Sequence, residues 1–487
     1  MPMSELTVGS VIDGFVLGER LTSGGMGSIW HASRPDLGFP LILKIPFLNP
    51  GEDVSTIVGY EVEAMIMKRL TGPHVPLFVA TGDLRQTPYI AMEFIAGETL
   101  KSQLTQAPLP AAKVSAIGQG LAIAVDDIHR QGVAHLDLKP GNIIMSDRGG
   151  VVLIDFGLAR HDELPDLLGE ESGLPIGTPA YIAPEQVLGD RTNPASDIFA
   201  IGAILYELAT GEKPFGDPAT RAGMERRLYH TAAPPRAIVA SCPRWLQEII
   251  LKCLETDPAR RYASASQLAF DLANPAQVVL SDRGRLDRGE GFLSRARRSI
   301  FGGKRRLPAP TGSIAGRSSA ASIVMTAVDL TNGADALAEE LRTNTARVLA
   351  SEAGARLACV TVLKTKLAGE DELVDAAGRP TYVARLVQLK DWARAFGLPE
   401  ERVSYHVLEA LDPAAAILVY ARHNHVDHIV LGARGSSALR RHLGSVSAQV
   451  VAEATCSVTV VRLRRSPLET NDDKHAPTLA PMPTTDP

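Results

Sequence analysis

The sequence predicts a multidomain protein that ends in an α/β unit built on a parallel sheet. Three observations carry this expectation. The chain has 487 residues, too many for one ordinary core and enough for about three units of ordinary domain size. A stretch rich in arginine, proline and small residues, Ser281 to Ser319, interrupts the apolar patterning. From Ser322 onward, strand-like and helix-like stretches alternate, the pattern of a parallel sheet covered by helices.

Composition narrows the class. A hydrophobic share of 45% and a charged share of 22% are those of a soluble globular protein. The net charge of −5 argues against a nucleic-acid binder. Cys242, Cys253, Cys359 and Cys456 are scattered without metal-ligand spacing, as expected of reduced thiols in a cytosolic protein. The sequence has no apolar run of about twenty residues. Met1 to Ser10 lacks a basic-then-apolar signal. The expected location is therefore cytoplasmic.

In chain order, Phe15 to Ala32 alternates apolar and polar residues around Gly24-Gly25-Met26-Gly27. This reads as two strands and a turn, and glycines there let backbone amides approach phosphate oxygens. Leu41 to Ile45 is a strand with Lys44 at its centre, where an ammonium is costly without a partner. Gly59 to Leu70 has helical spacing and carries Glu61 and Glu63. Tyr89 to Gly97 reads as a buried strand entering a loop. Pro110 to Gln131 is a helix with Val114, Ile117, Leu121, Val125 and Ile128 on one face, and His129 near its end is read as structural. His135-Leu136-Asp137-Leu138-Lys139-Pro140-Gly141-Asn142 then sets a carboxylate, an amine and an amide within six positions. Two strands turning at Arg148-Gly149-Gly150 lead to Asp155-Phe156-Gly157.

Taken together, and in this order, these motifs resemble those of bacterial serine/threonine protein kinases of the eukaryotic type, over roughly residues 11–273. The resemblance implies an α+β bilobal kinase fold, ATP with Mg2+ (or Mn2+), and protein Ser/Thr hydroxyls as acceptors. Phosphoryl transfer needs a group to orient the attacking hydroxyl, oxygen ligands for the metal, and positive charge near the phosphates. By resemblance, Asp137 is the base, Lys139 steadies the γ-phosphate, and Asn142 and Asp155 hold the metal. Lys44 contacts the α- and β-phosphates and pairs with Glu63, while Glu61 is read as a solvated helix face. Ser23, Gly24, Gly25, Gly27, Ile29 and Ile42 line the nucleotide. Met92 stands beside the adenine, and the backbones of Glu93 and Ile95 bond the base. Thr178, in the run Gly177 to Glu185, contacts Asp137 and Lys139. Asp197 braces the catalytic loop, and Arg261 pairs with Glu185.

Three residues depart from the family pattern: Thr22 replaces a glycine, Ile42 an alanine and Leu136 an arginine. Leucine cannot receive an activation-loop phosphate through charge-assisted bonds. The segment 158–179 holds only Ser172 and Thr178 as hydroxyls and already carries Asp162, Glu163, Asp166, Glu170 and Glu171. Loop phosphorylation is therefore not expected to be the switch. The departures leave open a second reading, a nucleotide-binding pseudokinase scaffold.

Residues 274–319 are expected to be a basic flexible linker, with Phe292, Leu293, Ile300 and Phe301 able to form a short amphipathic helix. In 320–464, strands are expected at Ile323–Val328, Leu357–Leu363, Val403–Leu408, Ile429–Leu431 and Val458–Val461. Helices are expected at Ala334–Ala353, Thr381–Phe396, Pro413–His423 and Val446–Ala454. The run Val426 to Gly435, followed by Gly444-Ser445-Val446, resembles a universal stress protein domain of Rossmann-like fold. That family implies a second nucleotide site at Asp329, Gly432, Gly435, Gly444 and Ser445. Since it includes both ATP-binding and non-binding members, both readings stay open. The fusion points to a module that pairs two chains or tunes the kinase. His423, His425 and His428 lack a matching fourth ligand and are read as solvated. Residues 465–487 are expected to be a disordered tail.

Overall fold

The computed structural model describes residues 6–24, 27–48, 55–171, 175–287, 322–330, 336–352, 354–365, 374–375, 379–433 and 444–462. The expectations for Gly25, Ser172, Gly435, the segment 292–301 and the tail lie outside these residues.

The first lobe is a six-stranded antiparallel sheet among the described residues, ordered β1-β2-β3-β4-β6-β5. Its strands are β1 (Val11–Ile12), β2 (Phe15–Gly24), β3 (Gly27–Ser33), β4 (Leu41–Pro46), β5 (Phe78–Thr81) and β6 (Ile90–Glu93). Period-two alternation puts Phe15, Leu17, Trp30, Leu41, Leu43 and Ile45 into one small core. Gly27 pairs with Pro46 across β3 and β4. A Cβ there would stand 2.5 Å from the Ile45 carbonyl oxygen, so only glycine lets the strands close at the turn. Helix α1 (Ser55–Met67) packs beside the sheet and buries Val58, Val62, Ile66 and Met67.

The second lobe is mainly helical. Its helices are α2 (Lys101–Leu104), α3 (Ala111–Arg130), α4 (Leu167–Glu171), α5 (Pro184–Val187), α6 (Ala195–Thr210), α7 (Arg221–Glu225), α8 (Pro235–Ile238), α9 (Arg244–Cys253) and α10 (Ala265–Ala273). The five apolar positions foreseen on α3 are all buried. Apolar on nearly every side, α6 runs through the core and stops at Gly211, whose φ of 76° is a left-handed cap. Short strands frame the loops between the lobes: β7 (Gly97–Thr99), β8 (Val133–Ala134), β9 (Ile143–Ser146), β10 (Val151–Leu153) and β11 (Arg160–His161).

The described first part of the expected linker, residues 274–287, packs on the second lobe. Helix α11 (Asp282–Arg285) is held on α9 because the Glu248 carboxylate accepts from Ser281 N–H at 3.0 Å, Gly284 N–H at 2.8 Å and Arg283 Nε at 3.0 Å. Arg283 also reaches Glu255 at 2.7 Å. Arg283, the first basic residue of this stretch, is thus tied to acids of the lobe.

The C-terminal domain follows the foreseen alternation: β12 (Ile323–Ala327), α12 (Ala336–Ser351), β13 (Arg356–Lys364), α13 (Thr381–Ala393), β14 (Val403–Ala410), α14 (Pro413–His423), β15 (His428–Gly432), α15 (Ser445–Glu453) and β16 (Ser457–Val461). The five described strands are all parallel, in the order β14-β13-β12-β15-β16. The chain moves outward from β12 to β14 and then crosses to β15, so the order reverses between β12 and β15, where such sheets open a crevice. Among the described residues, no helix is long and apolar enough to cross a membrane. Cys242, Cys253, Cys359 and Cys456 are free thiols.

Candidate functional site

The site lies between the lobes and is built on two polar clusters. In the first, Lys44 projects from the middle of β4, and its Nζ donates to Glu63 Oε2 at 2.6 Å and to Asp155 Oδ1 at 2.7 Å. Glu63 comes from α1 and is 2% exposed. Burial opposes the Lys44 ammonium, but the two carboxylates outweigh it and raise its pKa. Burial pushes the Glu63 carboxyl up against the pull of Lys44. For Asp155 the balance reverses: burial opposes its charge, yet Lys44 holds the carboxyl below its usual range.

In the second cluster, both Asp137 oxygens are engaged. Oδ1 accepts from Thr178 N–H at 2.8 Å and Thr178 Oγ1 at 2.6 Å. Oδ2 accepts from Lys139 Nζ at 2.7 Å and Asn142 Nδ2 at 3.3 Å. Asp137 thus stands between Thr178 and Lys139. The two clusters are tied through the backbone, because Ile154 N–H donates to the Asn142 carbonyl at 3.0 Å.

The loop that carries Asp137 is strained. Leu136 has φ 61° and Asp155 φ 66°, left-handed conformations that a side chain of this size adopts only when its surroundings impose them. Asp197, fully buried at the start of α6, imposes the first. Its carboxylate accepts from His135 N–H at 2.8 Å, Leu136 N–H at 2.8 Å and His129 Nε2 at 2.8 Å. Burial would raise its pKa, but His129 and the loop amides lower it. Gln186 Nε2 holds the Leu136 carbonyl at 2.8 Å. The Leu136 side chain itself is 3% exposed and enters the packing.

Arg261 meets Glu185 in a two-pronged pair at 2.6 and 2.8 Å, with side chains 0% and 2% exposed. Removing one partner of such a pair strands a buried charge, so Arg261→Met is expected to destabilise the lobe by about 3–5 kcal/mol. Urea unfolding, followed by the loss of nucleotide-cleft signals, measures this. A shift equivalent to less than about 1 kcal/mol would mean that the pair behaves as a surface contact.

Arg227 escaped sequence reasoning, and the reading of Glu61 changes. Fully buried Arg227 donates to the carbonyls of Ile182, Pro179 (2.6 Å) and Met224 (3.0 Å). Burial lowers its pKa to about 10. It anchors the segment just after Thr178, and an arginine in a short surface-like helix gives no sequence signal for that. Glu61 was read as solvated, and this is corrected: it is 7% exposed and pairs with Lys390 of the C-terminal domain. Its partner lies more than three hundred positions away, beyond any local pattern. Two of the three histidines read as solvated, His423 and His428, make specific contacts. His423 Nε2 bonds the Gly169 carbonyl at 3.0 Å, and His428 Nε2 bonds Thr459 Oγ1 at 2.8 Å.

A second cleft, of about 470 Å³, opens at the strand-order reversal of the C-terminal sheet. It brings Asp329, Gly432, Gly444 and Ser445 together with Lys364. Gly444 caps α15, whose first N–H groups therefore face this region.

A lysine–glutamate pair across a sheet and a helix, facing an aspartate–lysine–asparagine loop in an interlobe cleft, defines the class of bilobal kinase folds. The protein kinase domain family model matches residues 15–271, more than half of the chain, and the universal stress protein family model matches residues 321–462. The chain belongs to the protein kinase family and carries a universal stress protein domain behind the kinase domain.

Curated relatives include the probable serine/threonine-protein kinase PknB of Bifidobacterium longum, 30% identical over 53% of this chain and 39% of that one. PknL of Mycobacterium bovis is 31% identical over 54% and 66%, and PknA of Mycobacterium tuberculosis 31% over 55% and 62%. The chain thus spans about two fifths to two thirds of the length of these relatives. Among solved structures, the Mycobacterium tuberculosis PknI kinase domain aligns with 56% of this chain and 100% of its own, at 22% identity and a TM-score of 0.45.

Protein kinases in general use ATP and a divalent cation. The donor set fits both. Asp155 and Asn142 offer the hard oxygens that Mg2+ prefers, and the Asp155 side chain keeps 40% of its exposure toward the cleft. Lys44 offers the cation for phosphate oxygens.

Proposed function

We propose that the chain is a serine/threonine protein kinase that moves the γ-phosphoryl of ATP to a protein hydroxyl. The observation that carries this reading is the joint closure of Lys44 on Glu63 and Asp155 and of Asp137 on Thr178 and Lys139. Every group the reaction requires is present, and the two clusters are tied into one cleft.

In this reading Asp137 orients the acceptor hydroxyl and takes its proton, while Lys139 neutralises charge on the transferring phosphate. Asn142 and Asp155 would hold Mg2+ (or Mn2+), which when bound supplies charge neutralisation across the phosphates. Lys44 would contact the α- and β-phosphates, and Glu63 keeps it aimed. On the hinge, Glu93 N–H is committed to the Leu77 carbonyl at 2.9 Å and Phe94 N–H to Pro40 at 2.9 Å. The base contacts then fall to the Glu93 carbonyl and the Ile95 N–H, beside Met92. Ser23, Gly24, Gly25, Gly27, Ile29 and Ile42 would enclose the nucleotide. Thr178 on Asp137 favours Ser/Thr acceptors.

The C-terminal cleft would take a second nucleotide through Asp329, Gly432, Gly435, Gly444 and Ser445, which its place at the strand-order reversal supports. A pairing of two chains through this domain remains part of the reading, as does a kinase domain over 11–273 and a cytoplasmic location.

The test incubates the full chain with Mg2+ and γ-labelled ATP and a generic protein acceptor, and maps the products. Phosphoserine or phosphothreonine that disappears in Asp155→Ala is expected. Transfer that persists unchanged in Asp155→Ala, or bound ATP without any transfer, would overturn the reading in favour of a scaffold.

A further inference from the structure

The C-terminal domain grips two elements of the kinase domain, α4 and α1. The first is α4, within the segment that leads to Thr178. Glu170 Oε2 accepts from His406 Nε2 at 2.8 Å, Ser404 Oγ at 2.9 Å and the Tyr420 hydroxyl at 3.2 Å. Glu170 Oε1 accepts from Arg356 at 2.7 Å. Its backbone carbonyl takes the Asn424 side-chain amide at 3.1 Å. Beside it, Glu171 accepts from the Tyr382 hydroxyl at 3.2 Å. These partners come from β13, β14, α13 and α14, so one carboxylate is clasped by residues from several elements of the other domain.

The second gripped element is α1, which carries Glu63. Ile57 of α1 is buried among Tyr382, Val383, Leu386 and Val407. Glu61, two positions before Glu63, pairs with Lys390. The charge of the clasp is well supported. Burial opposes ionisation, but His406 and Arg356 bring Glu170 down to about 2. Burial likewise opposes the His406 charge, but Glu170 and Glu171 raise it to about 9. A buried charge set paired across two domains is costly to half-open.

In this docked arrangement, the Lys44–Glu63 pair is closed and Thr178 sits on Asp137. Leu136 offers nothing to a loop phosphate, whereas the Glu170 carboxylate is already met by two cationic side chains, Arg356 and His406. We propose that the universal stress protein domain acts in cis as the brace of the active kinase conformation, with Glu170 and Glu61 as positioning residues gripped by Arg356, His406 and Lys390. This rests on the kinase reading above. The contacts replace loop phosphorylation: the anion is built into the sequence, and its receptor is a neighbouring domain. An event that opens the clasp lets α1 and the loop move and slows transfer.

The test uses the full chain and compares Glu170→Gln, Lys390→Glu, Glu61→Lys and the swapped pair Glu61→Lys/Lys390→Glu. Loss of one charge-assisted tie is expected to lower kcat about tenfold, with KM for ATP within about twofold because no variant touches the nucleotide groups. Faster amide hydrogen exchange of α4 and β14 should accompany it. The swapped pair should recover most of the lost kcat, which a folding defect would not. Transfer at unchanged or raised kcat in Glu170→Gln and Lys390→Glu overturns the brace and leaves the kinase reading standing. An unaltered chain that transfers nothing overturns the kinase reading and the brace with it.

Discussion

Replacing Asp137 by Asn is expected to lower kcat by about 10²–10⁴-fold, the usual contribution of a positioned base, while ATP binding is retained. The substitution keeps the shape of the side chain. It removes one accepting oxygen from a carboxylate that bonds Thr178 N–H, Thr178 Oγ1 and Lys139 Nζ at 2.6–2.8 Å. It also removes the proton acceptor itself. Nucleotide affinity should survive because Lys44, Glu63 and Asp155 form a separate cluster. Single-turnover transfer beside fluorescent-nucleotide binding reads the two effects separately. A loss of kcat smaller than about tenfold would mean that Asp137 is only a structural acceptor for Thr178.

Lys44→Met is expected to cost about 10²–10³-fold in kcat, as when one preorganised donor is removed from a charged transition state, and also to weaken ATP binding. The reason lies in what it leaves behind. Glu63, at 2% exposure, would lose its cation and take a proton instead, since burial already pushes its carboxyl up. Asp155 would lose the contact that holds its carboxyl low. With neither charge paired, α1 is no longer tied to β4. The KM for ATP should therefore rise together with the fall in kcat, in contrast to Asp137→Asn. Unchanged KM would place Lys44 outside the nucleotide clasp.

The parts of this molecule that were legible in the sequence are those that local chemistry dictates. The strands and helices of the C-terminal domain fall within a few residues of their expected limits, because a buried parallel strand needs an unbroken apolar run. Lys44 was legible because an ammonium in an apolar strand needs a partner, and Asp137, Asn142 and Asp155 because their motifs resemble those of protein kinases. The choice of Glu63 over Glu61 as that partner matches the pair at 2.6 Å. Contacts between distant positions were not legible. Glu170 looked like one acid among several in a polar loop, and His406 like one residue of an apolar strand. Only the fold brings them to 2.8 Å. For the same reason the role of Arg283 was not legible: it reads as part of a basic run, yet it is bound by Glu248 and Glu255. Leu136 was legible as a departure but not in its consequence. Its left-handed backbone and buried side chain belong to a loop locked by Asp197 and Gln186.

The most direct test of the account is the time course of transfer by the full chain, treated first with a phosphatase and verified by mass as free of phosphate at Thr178 and Ser172. With the site held by its own carboxylates and by the C-terminal domain, product should accumulate linearly from the first turnover. Thr178 should remain unmodified while it does. A lag that ends only as Thr178 or Ser172 gains phosphate, or no product at all with ATP bound, would contradict it.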